Sequence, residues 1–274
     1  MKTIINTNRY LRKLVAIYNA FGPPDSVFWA MMKQNSWILG ETFYAACEIY
    51  KAASARDSDN LWSDFLDANI KATLAGNKRA GLVALLDQLE IPSNHETVLL
   101  EKRVLGQLEH GINHHVAKFN AYSRKTFGFS VPKAMNIVVG VSNYGGTRGG
   151  AISAANMLIS IDVHQDDPNP LPVLFHEMLH VMFRENNIRF TERYMEEAFL
   201  DYFTSGGLLD KALGFVDKID MKAKHEQNVI HRPYAKRESE IAFSLLDKYA
   251  SAGGTGNIWD FMAKKHMAST ILLK

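Results

Sequence analysis

The sequence predicts an α+β fold, mostly helical, with a small mixed β-sheet next to a pair of helices that carry the chemistry. Three observations point there. Apolar residues recur every three or four positions through most of the first 127 residues, the period of helices with one buried face. Between Phe129 and Val163 the pattern turns to β-branched and partly alternating runs, which suit a pleated, half-buried surface. Helical spacing returns at Pro170 and continues to the end. The expected organisation is a helical N-terminal region, 1–127, and a second region, 128–274, of small sheet plus helices. Both should pack as one compact unit, because no break between them is long enough for a flexible linker.

The helical signals run in order through Phe28 to Trp37, Phe43 to Ala52, Leu61 to Leu74, Gly81 to Leu89 and Val98 to Phe119. Turn residues separate them at Gly22-Pro23-Pro24, Ala55 to Asn60, Gly76-Asn77 and Ile91-Pro92-Ser93. Ahead of them, Lys2, Arg9, Arg12 and Lys13 precede the first acid, Asp25. That basic start is like a signal peptide, but Tyr10, Leu11, Leu14, Val15, Tyr18 and Phe21 recur with helical period and favour an amphipathic helix. The expected location is the cytoplasm, with a removed leader as the alternative. Ile137-Val138-Val139, the glycine-rich Gly145 to Gly150 and Met157 to Val163 supply two or three strands.

Composition narrows the function classes. With 274 residues, 47% of them apolar, the chain can bury a core without staples. Cys47 is the only cysteine, which excludes a disulfide framework or a cysteine-based zinc knuckle within one chain. A formal charge of +2 lacks the basic excess of a nucleic-acid-binding domain. No stretch of 18 apolar residues is present, so no membrane span is expected.

The strongest signal is His176-Glu177-Met178-Leu179-His180, an HExxH sequence in a segment expected to be a helix. Residues four apart lie only about 40° from alignment on a helix, so both imidazoles can converge on one ion. Zinc accepts such a set, and three protein ligands leave a place for water or substrate. Glu177 then stands beside that water as general base. Asn169 can cap this helix, and Pro170 or Pro172 fits its first turn. Given 10 His in the chain, the chance expectation for the motif is about 0.02 occurrences.

A third ligand is expected downstream. Thr191 suits an N-cap and Gly206-Gly207 a stop, so Glu192 to Ser205 should form a second helix. Equal path lengths of about 10 Å either side of the intervening turn bring Glu196 or Glu197 level with His180. Asp201, four residues after Glu197, favours Glu197, because a ligating histidine commonly donates its other N–H to a carboxylate.

His176-Glu177-Met178-Leu179-His180 followed by Glu197-Ala198-Phe199-Leu200-Asp201-Tyr202 resembles the gluzincin zinc metallopeptidases, which include thermolysin and the zinc aminopeptidases. The likeness covers about residues 130–205. It implies a peptide or protein substrate, Zn2+ held by His176, His180 and Glu197, Asp201 behind a ligand, and an oxyanion-stabilising Tyr or His further on. Tyr234, His231 and His225 are the candidates for that last role. It also implies an edge strand beside the cleft, for which Gly149 to Ser153 and Met157 to Asp162 are alternatives. Aminopeptidases carry an acid in that edge motif, whereas Gly145 to Ile161 holds none. An endopeptidase is therefore expected over an aminopeptidase. The rival expectation is a non-catalytic binding or regulatory protein on such a scaffold, with zinc structural or lost.

Weaker signals remain. His110 and His114 also stand four apart, with His115 adjacent, but Gly111 weakens that helix and a solvated face is expected. Gly145 to Gly150 lacks the Gly-Lys-Ser/Thr of a phosphate loop. Trp29, Trp37, Trp62, Trp259 and Cys47 are expected in the core or a groove wall.

Overall fold

The computed structural model describes residues 2–6, 95–142, 148–151, 156–162, 169–192, 194–265 and 272. The expected helices between Tyr10 and Leu89, with Cys47, Trp29, Trp37 and Trp62, lie outside the described residues, as do 143–147 and 152–155. What is described is mostly helical with a small mixed sheet.

The strands are β1 (Lys2–Asn6), β2 (Ala134–Ser142), β3 (Arg148–Ala151) and β4 (Asn156–Asp162), in the order β1-β2-β4-β3. β1 and β4 both run parallel to β2, while β3 is antiparallel to β4. Ile137, Val138 and Val139 are all fully buried, as a continuous β-branched run predicts for a central parallel strand. Paired positions Asn136 and Asn156 add a side-chain hydrogen bond of 2.9 Å. β3, which contains Gly149 to Ala151, forms one edge. Met157 to Asp162 is paired on both sides, so of the two edge-strand alternatives this one fails. β1 was not foreseen: its Thr3-Ile4-Ile5 is β-branched, but its partner lies more than a hundred residues away and no hairpin turn announces it.

The helices are α1 (His95–Phe127), α2 (Leu171–Glu185), α3 (Met195–Asp201), α4 (Leu208–Leu213), α5 (Met221–His231), α6 (Lys236–Ser251) and α7 (Ile258–Lys264), with a 3₁₀ turn at Pro233–Ala235. None of the described helices is long and apolar enough to cross a membrane. Two compact units interleave along the chain: residues 108–133 with the chain from Leu171 onward form one, and the sheet with α1 up to Gln107 forms the other. The expected boundary at 127/128 was single.

The helical unit closes around aromatic rings. Phe127 meets Phe203 at 4.9 Å and Phe183 at 5.2 Å, and Trp259 stacks on Phe199 at 6.0 Å. Trp259 also donates its Nε1–H to the Phe127 carbonyl at 2.8 Å. Each of the fully buried phenylalanines among them, Phe127, Phe183, Phe199 and Phe203, contributes about 1.5–3 kcal/mol by leaving water. Gly111 has a packing reason: a Cβ there would collide with the side chain of Leu171, the first residue of α2.

α2 buries every residue from Leu174 to Phe183. Its C-terminal turn is closed by Asn187 at φ 56 and by the Ile188 N–H on the Phe183 carbonyl at 2.9 Å, a left-handed termination that asparagine tolerates. α3 is shorter than expected. Thr191 does not cap it; the helix starts after Tyr194, which makes no side-chain cap bond. It stops at Asp201 rather than Ser205, because Ser205 (φ 53) and Gly206 (φ 91) turn left-handed and Gly207 sits against the Tyr202 carbonyl. Seven residues cannot sustain a helix alone; buried Met195, Ala198, Phe199 and Leu200 hold it in place.

Candidate metal centre

α2 presents His176 and His180 on one face, both buried. Their rings lie edge to face with centroids 4.8 Å apart and their Nε2 atoms 3.1 Å apart. α3 adds Glu197, whose Oε1 is 3.1 Å from His180 Nε2 and whose Oε2 is 3.4 Å from His176 Nε2. Thus the histidine pair and Glu197 each bring a ligand atom within 4.8 Å of the others. Around a tetrahedral zinc with bonds of about 2.0–2.1 Å, ligand atoms stand roughly 3.3 Å apart. The donor set and its spacing fit such an ion.

The opposite ring nitrogens decide what faces the centre. His180 Nδ1 is 2.6 Å from Glu196 Oε1, and a carboxylate only accepts, so Nδ1 carries the hydrogen. Thr204 gives its single hydroxyl hydrogen to the Leu200 carbonyl at 3.1 Å, and therefore accepts from His176 Nδ1–H at 2.8 Å. Both Nε2 lone pairs are thereby turned inward, beside a carboxylate. This is how a metal-binding histidine is normally oriented. Three acceptors at such distances repel one another unless positive charge lies among them. Burial would lower the His180 imidazole, but Glu197 and Glu196 outweigh it and hold it well above its ordinary value. Burial opposes the charge on Glu197 too, yet His180 and His176 hold its carboxyl well below the usual range.

The surrounding shell comes from α5 and the turn after α3. Lys224 donates to the Ser205 carbonyl at 2.7 Å, and Asp210 accepts the Gly206 N–H at 2.6 Å. Together they pin the turn that carries Thr204. Asp210 is almost fully buried, and burial lifts its carboxyl to about 6 against the pull of the Gly206 N–H and Lys224. His225 Nδ1 meets the Tyr202 hydroxyl at 2.8 Å, and that hydroxyl donates to the Ser239 carbonyl at 3.1 Å. Arg232, one residue past α5, donates to Glu197 Oε2 at 2.7 Å and forks onto Asp201, Nε to Oδ2 at 3.1 Å and Nη2 to Oδ1 at 3.3 Å. Burial disfavours its charge, but the two carboxylates hold the guanidinium more firmly protonated than usual.

The structure thus brings His176, His180 and Glu197 together, with Glu177 buried in the same turn of α2. Asp201 departs from its expected place: its carboxylate engages Arg232, and Glu196 and Thr204 take the histidine Nδ1 atoms. His225 is tied to Tyr202 and stacked on Phe243 at 4.5 Å, in no direct bond to the ligand set. His231 is exposed at the end of α5 and takes part in none of the site's bonds. Tyr234 is half-exposed, 5.0 Å from the Tyr194 ring. Burial raises its hydroxyl, opposed by Arg232 and aided by Glu197. Thr204, Arg232 and Lys224 were not anticipated. For Lys224 a signal existed, since Lys224, Asn228 and Arg232 recur every four residues as a polar stripe on an otherwise solvated segment. The chain matches no known family model, curated protein or solved structure.

Proposed function

We propose that this protein is a zinc-dependent metallopeptidase of gluzincin type, with His176, His180 and Glu197 as the ligands and Glu177 as general base. The observation that supports it most is the trio of inward-facing acceptors, two imidazole nitrogens and one carboxylate, whose outward atoms are tied off by Thr204, Glu196 and Arg232. Zinc, when bound, supplies a Lewis acid and lowers the pKa of water towards about 7. Glu177 takes the proton from the attacking water and passes it to the leaving amine. Tyr234, whose hydroxyl feels both Arg232 and Glu197, is the better placed candidate to donate to the developing oxyanion. Cleavage within chains is favoured over removal of N-terminal residues, because the glycine-rich segment has no acid to hold a free amino group.

Metal analysis of the purified protein together with hydrolysis of an unstructured protein such as casein tests this reading. One zinc per chain and cleavage are expected, with Glu177→Gln keeping the zinc and losing about 10²–10⁴-fold in turnover. Full activity in that variant removes the general-base role. Stoichiometric zinc without cleavage of any substrate favours the binding-protein reading instead, and absence of bound metal removes the zinc-dependent peptidase and leaves only a scaffold that has lost its zinc.

A further inference from the structure

We infer that Arg232, held by Asp201, is a positioning residue that selects which oxygen of Glu197 faces the metal. The inference rests on the metal-centre reading above. Glu197 needs such a device. Its side chain is 36% exposed, and packing alone does not choose among the rotamers of a flexible glutamate. Both oxygens stand near the histidine pair, Oε1 at 3.1 Å from His180 Nε2 and Oε2 at 3.4 Å from His176 Nε2, but Arg232 takes Oε2 at 2.7 Å and leaves Oε1 as the oxygen without a cation. The guanidinium is itself oriented, because Asp201 grips Nε and Nη2 as a fork at 3.1 and 3.3 Å. Asp201 is buried and sits one helical turn after Glu197, so the two carboxylates stand on one face of α3 and share one planar cation. A guanidinium can hold two partners in fixed directions, which an ammonium cannot.

With Oε2 engaged, Glu197 offers the metal one oxygen and leaves room for a water or substrate atom. Without Arg232, both oxygens are free to chelate, and the side chain is free to swing away. Charge alone argues the opposite effect on affinity: a cation beside a dication repels it, so its removal taken by itself would tighten binding. A carboxylate that swings away weakens binding whereas loss of the repelling charge tightens it, and a second bound oxygen changes the d–d intensity whereas loss of charge alone does not.

The experiment is a Co2+ titration of the purified full chain against a competing chelator, with the d–d absorption recorded, for the unaltered protein and for Arg232→Met, Arg232→Lys and Asp201→Asn. Arg232→Met is expected to weaken Co2+ binding by about 10–100-fold and to change the d–d intensity, which falls as coordination number rises. Arg232→Lys keeps the charge but not the fork, and should stay weaker than the parent. Asp201→Asn should weaken binding in the same direction, and combined with Arg232→Met should add nothing further. Equal or tighter binding by Arg232→Met, with the parent spectrum, overturns the inference and leaves the metal-centre reading standing. If Arg232→Met does not fold, Arg232→Lys decides, because it keeps the charge and loses the fork: parent-like affinity with the parent spectrum overturns the inference. If the unaltered protein takes up no Co2+, the metal reading falls and this inference falls with it.

Discussion

His110 with His114 on α1, and His176 with His180 on α2, repeat one spacing in two environments. On α1 both side chains are exposed and the rings lie parallel, 4° apart in plane with centroids at 6.2 Å. On α2 they are buried, edge to face, with Nε2 atoms 3.1 Å apart. The electrostatics differ in sign. Burial lowers the neighbouring His115 imidazole, and His114, Lys118 and His110 lower it further, so that cluster resists more positive charge. Around His180, Glu197 and Glu196 overcome the penalty of burial and draw positive charge in. Four-residue spacing is thus only a permission. What makes a centre is carboxylates and hydroxyls from other elements that tie off the outer nitrogens.

The largest test of this contrast removes one histidine from each pair. His180→Ala should take bound metal from one per chain to none, whereas His114→Ala should leave it unchanged, as measured by elemental analysis after dialysis. Equal losses from both would erase the distinction. Next come the outer-nitrogen partners. Glu196→Gln and Thr204→Val should each weaken metal binding by about 10–100-fold in chelator competition; unchanged affinity in both would show that the ligand trio suffices alone.

Acidity sharpens the contrast further. The folded-state value of His180 is raised, so in metal-free protein its stabilisation is present below the ordinary histidine range and is lost as pH rises through the raised value. That of Glu197 is lowered, so its contribution is present above the ordinary carboxylate value and is lost as pH falls through the depressed one. The Tm of metal-free protein should therefore decline as pH rises from the ordinary histidine range through the raised His180 value, and bound metal should cancel the decline, because the ion replaces the proton. A Tm–pH curve that metal leaves unchanged would count against proton and ion sharing one place. On the site itself the smallest effect is expected from Asp210→Asn. Asp210 titrates near 6 when folded, so the folded state binds more protons than the unfolded one between about 4 and 6, and stability falls as pH rises there, by at most about 3 kcal/mol. The asparagine variant should flatten that slope in thermal melts while metal stoichiometry holds.

Much of the architecture was legible. The β-branched run at Ile137 to Val139 announced a strand and the segment around His176 announced a helix, and both prove buried. β1 was not legible, since a parallel partner distant in sequence leaves no local mark. The limits of α3 were also hidden. Thr191 and Gly206 are reasonable stops by propensity, but aromatic packing on Phe199 and the left-handed turn at Ser205 set the helix at seven residues.

The same division runs through the candidate metal centre. Local sequence determined that His176, Glu177 and His180 share a turn of helix, because side-chain direction in a helix follows from backbone geometry alone. It also brought two glutamates into play and favoured Glu197, on an expected Asp201–histidine bond that Asp201 makes to Arg232 instead. Only tertiary packing assigned Glu197 to the inner face and Glu196 to the back of His180. Packing likewise delivered Arg232, just past the end of α5, onto the carboxylates of α3. Those roles depend on where separate helices come to rest against one another, and that is set by the burial of Phe183, Phe199 and their neighbours across the whole unit rather than by any spacing within the motif.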